Sequence, residues 1–337
     1  MYKFSLSIIL PCYNVEKFIG ECLDSIFSQD ISEEEYEVIC VNDYSTDKTS
    51  NVIFEYQKLH TNLILINHDD NKKQGAARNT GLKYAQGKYI WFVDPDDLIE
   101  KDCLLELITE MSINKLDVLN FDILNLKGES RIENSIYNTT NIQTGSFFIN
   151  SINNWWENGS PCRRIYDSYF LQSTKTIFRE YGYLEDQIFS LRTVFYAKRF
   201  KHIAKYYYLY RWNENSSMNG KMDNSKILSV FAMISDLLVF SSEINETEFK
   251  LALSVREVAF YNLNSIFKSY LYFNYKERKI AISHIENHLL EILDSNYFHG
   301  WKLVLLSYLK VSTVIFFFLS PLLRFMRNFK RSFFNSN

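Results

Sequence analysis

The first hundred residues alternate between short apolar runs and amphipathic stretches, and this rhythm constrains the fold more than any other feature of the chain. Apolar runs at Ser5 to Leu10, Tyr36 to Val41, Leu63 to Asn67 and Tyr89 to Val93 are separated by helical patterns at Val15 to Gln29, Lys48 to His60 and Gly75 to Gln86. That βαβαβαβ order predicts an α/β fold, a mostly parallel sheet with helices on both faces and ligands bound beyond the carboxyl ends of the strands. Chemistry-bearing residues gather at those ends. Pro11, Tyr13 and Asn14 follow the first run, Asn42 and Asp43 the second, and Asp94, Asp96 and Asp97 the fourth. At 337 residues, 47% of them hydrophobic, the chain can bury one large core or two smaller ones.

In Trp91-Phe92-Val93-Asp94-Pro95-Asp96-Asp97 an apolar strand ends in three carboxylates. They repel one another unless solvent, or a hard divalent cation such as Mg²⁺ or Mn²⁺, offsets their charge. Pro95 cannot continue a central strand, so it forces a turn that brings Asp94 and Asp96 to one side. Asp97 can serve as the N-cap of a helix expected at Leu98 to Met111. A solvated acidic turn is the plainer alternative, and the other strand ends that converge on the same crevice argue against it. Asp43 can accept the imide N–H of uracil, and Ser45, Thr46 or Asp47 can cap the helix that follows. Between Asn71 and Gly81, small residues permit close backbone approach, and Arg78 among them suits either the carboxylates of the crevice or a diphosphate.

A net charge of -3, from 37 basic and 40 acidic residues, leaves no broad basic footprint and excludes nucleic acid as the expected partner. Five scattered cysteines, without a Cys-x-x-Cys or a histidine cluster, indicate free core thiols, no zinc and a reduced, cytoplasmic compartment. The apolar run at Leu6 to Leu10 is too short for a signal sequence. After Met111 the rhythm weakens into meandering strands over Asp117 to Tyr137. It returns as a helix at Asp186 to Lys198 and an aromatic strand at Tyr206 to Arg211, and reads as helices from Ser225 to the end. Asn213 to Asn224, rich in Asn, Ser and Gly, is the natural boundary or mobile loop, dividing a domain at 1–220 from a helical region at 221–337. Leu303 to Leu323 is apolar enough to span a bilayer. On a helix, however, Lys302, Thr313, Ser320, Arg324, Arg327 and Arg331 gather on one side. A basic amphipathic helix lying on the inner membrane leaflet is expected, with packing on the catalytic domain or a second subunit as the alternative.

Taken in order, these segments resemble the family 2 glycosyltransferases, inverting enzymes of the GT-A fold that use nucleotide sugars, over roughly residues 4 to 220. The family's Pro-x-Tyr-Asn is matched by Pro11 to Asn14. Its Val-Asp-Asp-Gly-Ser-Thr-Asp is matched by Val41 to Asp47, with Asn42 for the first Asp and Tyr44 for Gly. Its Asn-x-Gly-x-x-x-Ala-Arg-Asn-x-Gly is matched at Asn71, Ala77, Arg78, Asn79 and Gly81, with Lys73 where glycine is common. Its Asp-x-Asp-Asp is matched by Asp94, Asp96 and Asp97. Tyr44 demands either different backbone torsions from glycine or an altered base pocket.

The resemblance implies a nucleotide-sugar site built from Pro11, Tyr13, Asn14, Asp43, Asn71, Arg78 and Asp94, with Mn²⁺ or Mg²⁺ on Asp96 and Asp94. It also points to an acidic pair opening a helix, here Glu185 and Asp186, with Asp186 as the base and Glu185 as its neighbour. Tyr210-Arg211 followed by Ser216 and Ser217 is similar to the family's segment that folds over the diphosphate. Tyr208-Leu209-Tyr210-Arg211-Trp212 lacks the Gln of processive synthases. The implied activity is sugar transfer from a UDP-sugar to a saccharide or polyprenyl-linked saccharide during cell-surface polysaccharide synthesis. A homo-oligomer is compatible with it. A polyprenyl-phosphate glycosyltransferase and a non-catalytic nucleotide-sugar scaffold are the competing expectations.

Overall fold

The computed structural model describes residues 2–127, 130–133, 141–152, 159–180, 183–212, 223–244, 248, 252 and 255. By backbone contacts the chain divides into two units, Met1–Asn264 and Ser265–Asn337. The second unit, with the helix expected at Leu303 to Leu323, lies outside the described residues, and so do Ser216 and Ser217. In chain order the first unit holds β1 (Phe4–Cys12), α1 (Ile19–Phe27), β2 (Tyr36–Asn42), α2 (Thr49–Leu59), β3 (Leu63–Asn67), α3 (Lys73–Tyr84) and β4 (Gly87–Phe92). There follow β5 (Leu98–Ile99), α4 (Leu104–Ile113), β6 (Val118–Lys127), β7 (Ser130–Glu133), α5 (Gly145–Ser151), β8 (Arg164–Asp167), α6 (Ser168–Thr174), α7 (Glu185–Tyr196), β9 (Phe200–Arg211) and α8 (Asn224–Ile244).

The expected alternation is present, and the first four strands run parallel in the order β3-β2-β1-β4. Beyond β4 the sheet becomes mixed. β8 joins β4 antiparallel, β6 lies antiparallel to β8 and parallel to β9, β7 pairs with β6, and β5 closes the edge against β9. β1 from Leu6 onward and all of β2 are buried, as strands covered on both faces must be. Right-handed crossovers put α1 and α2 on one face and α3 on the other, because the chain reverses direction across the sheet between β3 and β4. α1 buries Ile19, Cys22, Leu23 and Ile26, a single apolar stripe at helical spacing. α3 has no such stripe. It buries Gly75, Ala76, Ala77 and Gly81 instead, and a side chain at Gly81 would strike Ile9 of β1.

The helix expected at Leu98 to Met111 is corrected by the structure. Leu98 and Ile99 pair with Leu209 and Tyr208 as β5, and α4 begins only at Leu104. Its first amide groups are met by Gln29, whose Oε1 accepts from Cys103 N (2.9 Å) and Leu104 N (3.3 Å), and by Asp30 Oδ1, which accepts from Leu105 N (3.3 Å). A cap supplied from the loop just beyond α1 leaves Asp97 for another role.

All five cysteines are free and buried, as their scatter implied. Behind the strand ends lies an aromatic core: Phe178 stacks on Phe189 at 3.7 Å, and Phe92 meets both edge-on. Phe92 is two residues from Asp94, and Phe189 is one turn from Glu185, so packing in this core sets the spacing of the acidic groups above it. α8 is, among the described residues, the one helix long and apolar enough to cross a membrane, and 56% of that stretch is buried within the fold. It packs on α7 through Phe240 against Phe195, with Arg192 paired to Glu243 at 2.9 Å.

Candidate active site

The switch point of the sheet lies at the carboxyl ends of β1 and β4, where a crevice opens. Pro11, expected to follow the first strand, lies inside it. Val93 N donates to Ile9 O (3.0 Å) near the end of the β1–β4 ladder, so Pro11, two residues on and facing the same way, has no ladder bond to lose. Asn14 sits in the left-handed region (φ 52). Its Oδ1 accepts from Thr46 N (2.8 Å) and its N donates to Ser45 Oγ (3.0 Å), which lashes the first loop to the second. Tyr13 beside it is 47% exposed. Of the capping candidates in the second loop, Asp47 takes Thr49 N (3.0 Å) and Thr49 Oγ1 (2.6 Å). Burial alone would raise its pKa, but these bonds and one from Glu16 N hold the carboxyl below its ordinary value.

Asp43 is buried, and its Oδ1 accepts from both His68 Nδ1 and Lys72 N, each at 2.8 Å. Asn71 Nδ2 donates to the Asp43 carbonyl (3.3 Å), and Asp43 N donates to Cys12 O (2.8 Å). The loop is held by two positive-φ residues, Tyr44 (φ 62) and Lys73 (φ 72). Both stand where the resemblance expects glycine, and both hold the left-handed torsion that glycine favours.

Asp97 N donates to Asp94 O at 3.0 Å, closing the turn that Pro95 was expected to force. Asp94 and Asp96 are half-buried on it. Asp97 is buried, and instead of capping a helix its Oδ2 accepts from Tyr208 Oη (2.6 Å) and its Oδ1 from Arg211 N (2.8 Å). Burial, together with the charges of Asp96 and Asp94, pushes its carboxyl well above the ordinary range. Tyr208 Oη also accepts from Asp94 N (3.1 Å), so one phenol pins both ends of the turn. Arg211 Nε donates to Asp96 O (2.5 Å), and the rest of its guanidinium is held by Glu21 and by Phe18 O (3.2 Å).

Arg78 joins the two acidic groups. Its guanidinium, 3% exposed, donates to Asp94 Oδ1 (2.7 Å) and to Glu185 Oε1 (2.8 Å), with the Phe178 ring 5.2 Å away. Burial alone would lower its pKa, but Asp94 and Glu185 hold it well above the ordinary value, so it stays charged. Glu185 and Asp186 open α7 after Leu184, which takes a left-handed torsion (φ 70). Burial raises the Glu185 pKa against the pull of Arg78. Burial and the adjacent Glu185 push Asp186 up to about 7. The segment leading to this pair is stapled on two sides. Asn79 exchanges bonds with Phe178, Nδ2 to O and N to Oδ1, each 2.9 Å, and Arg179 pairs with Asp236 of α8.

Two contributors carried no motif in the sequence. His68 follows β3, where the rule that ligands gather beyond strand ends could have singled it out. Tyr208 lies within an aromatic strand, and nothing local sets it apart. Among the described residues no group of three or more His, Cys, Asp or Glu forms a ready-made metal cage.

The switch-point crevice, the strand-end acidic turn and the acidic start of α7 define a GT-A class nucleotide-sugar fold. The profile described as Glycosyl transferase family 2 matches residues 7–172, and that segment belongs to the family. The chain is similar to the poly(ribitol-phosphate) beta-glucosyltransferase of Bacillus spizizenii, at 31% identity over 207 residues, 61% of this chain and 32% of that protein. It therefore matches about a third of this relative's length. Among solved structures, S. aureus TarS 1–349 in complex with UDP-GlcNAc matches with a TM-score of 0.69 and 25% identity over 86% of this chain and 82% of that one. A mannosyltransferase from Pyrobaculum calidifontis, solved with GDP-Man and Mn²⁺, shares the fold at a TM-score of 0.50 and 14% identity, covering 93% of this chain and 87% of that one.

Proposed function

We propose that this chain is an inverting glycosyltransferase that moves a sugar from a UDP-sugar to a hydroxyl of a saccharide or polyprenyl-linked polymer acceptor in cell-surface polysaccharide synthesis. The observation that carries it is Arg78, which holds Asp94 of the strand-end turn and Glu185 of the α7 start in one buried ion cluster, with Asp186 beside it. Asp43 and Asn71 would hold the base end of the donor with Tyr13 near by, and Pro11 and Asn14 would shape that end. Asp94 and Asp96 would serve the ribose and diphosphate. Two half-buried carboxylates suit Mg²⁺ or Mn²⁺, which take their remaining ligands from phosphate and water rather than from a protein cage. Such an ion would offset the charge of the departing diphosphate. Arg211, now held by Glu21, would turn to the phosphates, with Ser216 and Ser217 following it in the chain.

The Asp186 carboxylate takes the proton of the acceptor hydroxyl as that oxygen bonds to the anomeric carbon. The bond from that carbon to the diphosphate breaks on the opposite face and carries its electron pair away. A base titrating near neutrality is suited to that exchange. The poly(ribitol-phosphate) named for the B. spizizenii relative supports a polyhydroxyl polymer as acceptor. Residues 221–337 would form the helical region, touching the inner membrane leaflet.

Asp186→Asn is expected to lower kcat by about a thousandfold while Mn²⁺-dependent UDP binding, measured by calorimetry, stays within twofold. Transfer at the parental rate would remove Asp186 from the reaction.

A further inference from the structure

The arrangement around Asp43 leaves one carboxylate oxygen without a donor among the described residues. Oδ1 already takes two donors, His68 Nδ1 and the Lys72 amide, both at 2.8 Å, while Oδ2 makes no hydrogen bond among the described residues. His68 is in turn immobilised. Its side chain is 6% exposed, its Nε2 lies 2.9 Å from Thr80 Oγ1 on α3, and its backbone N donates to Asn42 O at 2.9 Å. Because a carboxylate accepts, Nδ1 donates to Asp43, while Nε2 shares a hydrogen bond with the threonine hydroxyl. The imidazole thus spans the ends of β2 and β3 and the flank of α3, and it fixes which carboxylate oxygen is available.

We infer that His68 is a positioning residue that locks Asp43 into a single-acceptor state and so selects a nucleotide whose base offers one imide N–H, uracil or thymine. Guanine offers two adjacent donors, N1–H and the 2-amino group, which a carboxylate receives with both oxygens, and here Oδ1 is filled. Cytosine and adenine place a ring-nitrogen acceptor beside their amino group, against the negative charge. The imide alone puts a lone donor opposite Oδ2. This inference rests on the proposal that Asp43 meets the base, and it adds a second residue and a reason for the choice.

The test is calorimetric titration of the full-length protein with UDP, dTDP, CDP and GDP in Mn²⁺, followed by KM and kcat with a UDP-sugar. The parent should prefer UDP and dTDP. His68→Ala should weaken UDP at least tenfold and narrow the UDP-to-GDP ratio by a similar factor, raising KM with kcat at saturating donor changed less than twofold. His68→Asn, whose amide reaches the position of Nδ1, should restore most of the preference. Thr80→Val, which removes only the outer partner, should give a smaller shift in the same direction and serves if His68→Ala does not fold. Unchanged UDP affinity and selectivity in both His68→Ala and Thr80→Val would overturn the inference, as would equal binding of UDP and GDP by the parent. Asp43→Asn separates the two layers. If it binds UDP as the parent does, the assignment of Asp43 to the base fails. If it loses UDP while the His68 and Thr80 variants keep parental selectivity, only the role of His68 fails.

Discussion

Asp43 and Asp186 are carboxylates of one crevice built in opposite ways. Asp43 is ringed by donors, an imidazole and a backbone amide, with Asn71 clasping its own carbonyl. Asp186 is crowded by carboxylates, Glu185 next to it and Asp94 beyond, with the guanidinium of Arg78 shared among them. The first environment fixes an orientation, which suits recognition. The second pushes the carboxyl toward holding a proton, which suits giving and taking one. The contrast shows that burial alone does not decide a carboxylate's role, because its neighbours do.

The harshest way to break the contrast is Arg78→Met, which leaves Asp94 and Glu185 facing each other without their shared cation. It should cost about 3–5 kcal/mol of stability, read from urea midpoints, and abolish transfer. Next comes the pH dependence of Asp186. Only its ionised form accepts a proton, so kcat should fall as pH drops below about 7. The sign for stability is the reverse. A carboxyl whose folded pKa is raised stabilises the native state at low pH, and that contribution is lost as pH rises through about 7. Asp186→Asn should therefore raise Tm by a few degrees relative to the parent at about pH 8 and by little at about pH 4. Tyr208→Phe strips a donor from Asp97 and an acceptor from Asp94 N. It should cost about 1–3 kcal/mol in chemical denaturation and weaken Mn²⁺-dependent UDP binding without moving the acid limb. The smallest effect belongs to the recognition side. Tyr44→Gly relieves a left-handed torsion and should gain roughly 1 kcal/mol or less, with the same pH profile.

Much of this was legible in the residue order because it is local. The strand and helix alternation, the turn at Pro95 and the buried thiols follow from patterns a few residues long. Asp97 was not legible. Its short-range surroundings mark a helix cap, whereas Tyr208 and the Arg211 amide, more than a hundred residues away, claim it. Gln29 is the converse case, a residue two positions beyond α1 that caps a helix 75 positions later. Arg78 was legible as a residue with two possible tasks. Its two carboxylate partners lie 16 and 107 residues away, and only the fold brings them together. His68 escaped because one histidine after a strand carries no spacing to recognise.

The thiols of this chain offer a built-in clock. Cys22 Sγ lies 3.8 Å from the Asp94 carbonyl, and the Cys162 carbonyl receives Trp91 Nε1 at 2.7 Å, so both cysteines sit directly beneath the acidic turn. Burial pushes both thiols well above their ordinary pKa, and in the closed fold neither is reactive toward a thiol reagent. Labelling at either position would therefore report how often the floor of the crevice opens. If nucleotide tightens the site, the same cysteines should become slower to label, with no probe added to the protein.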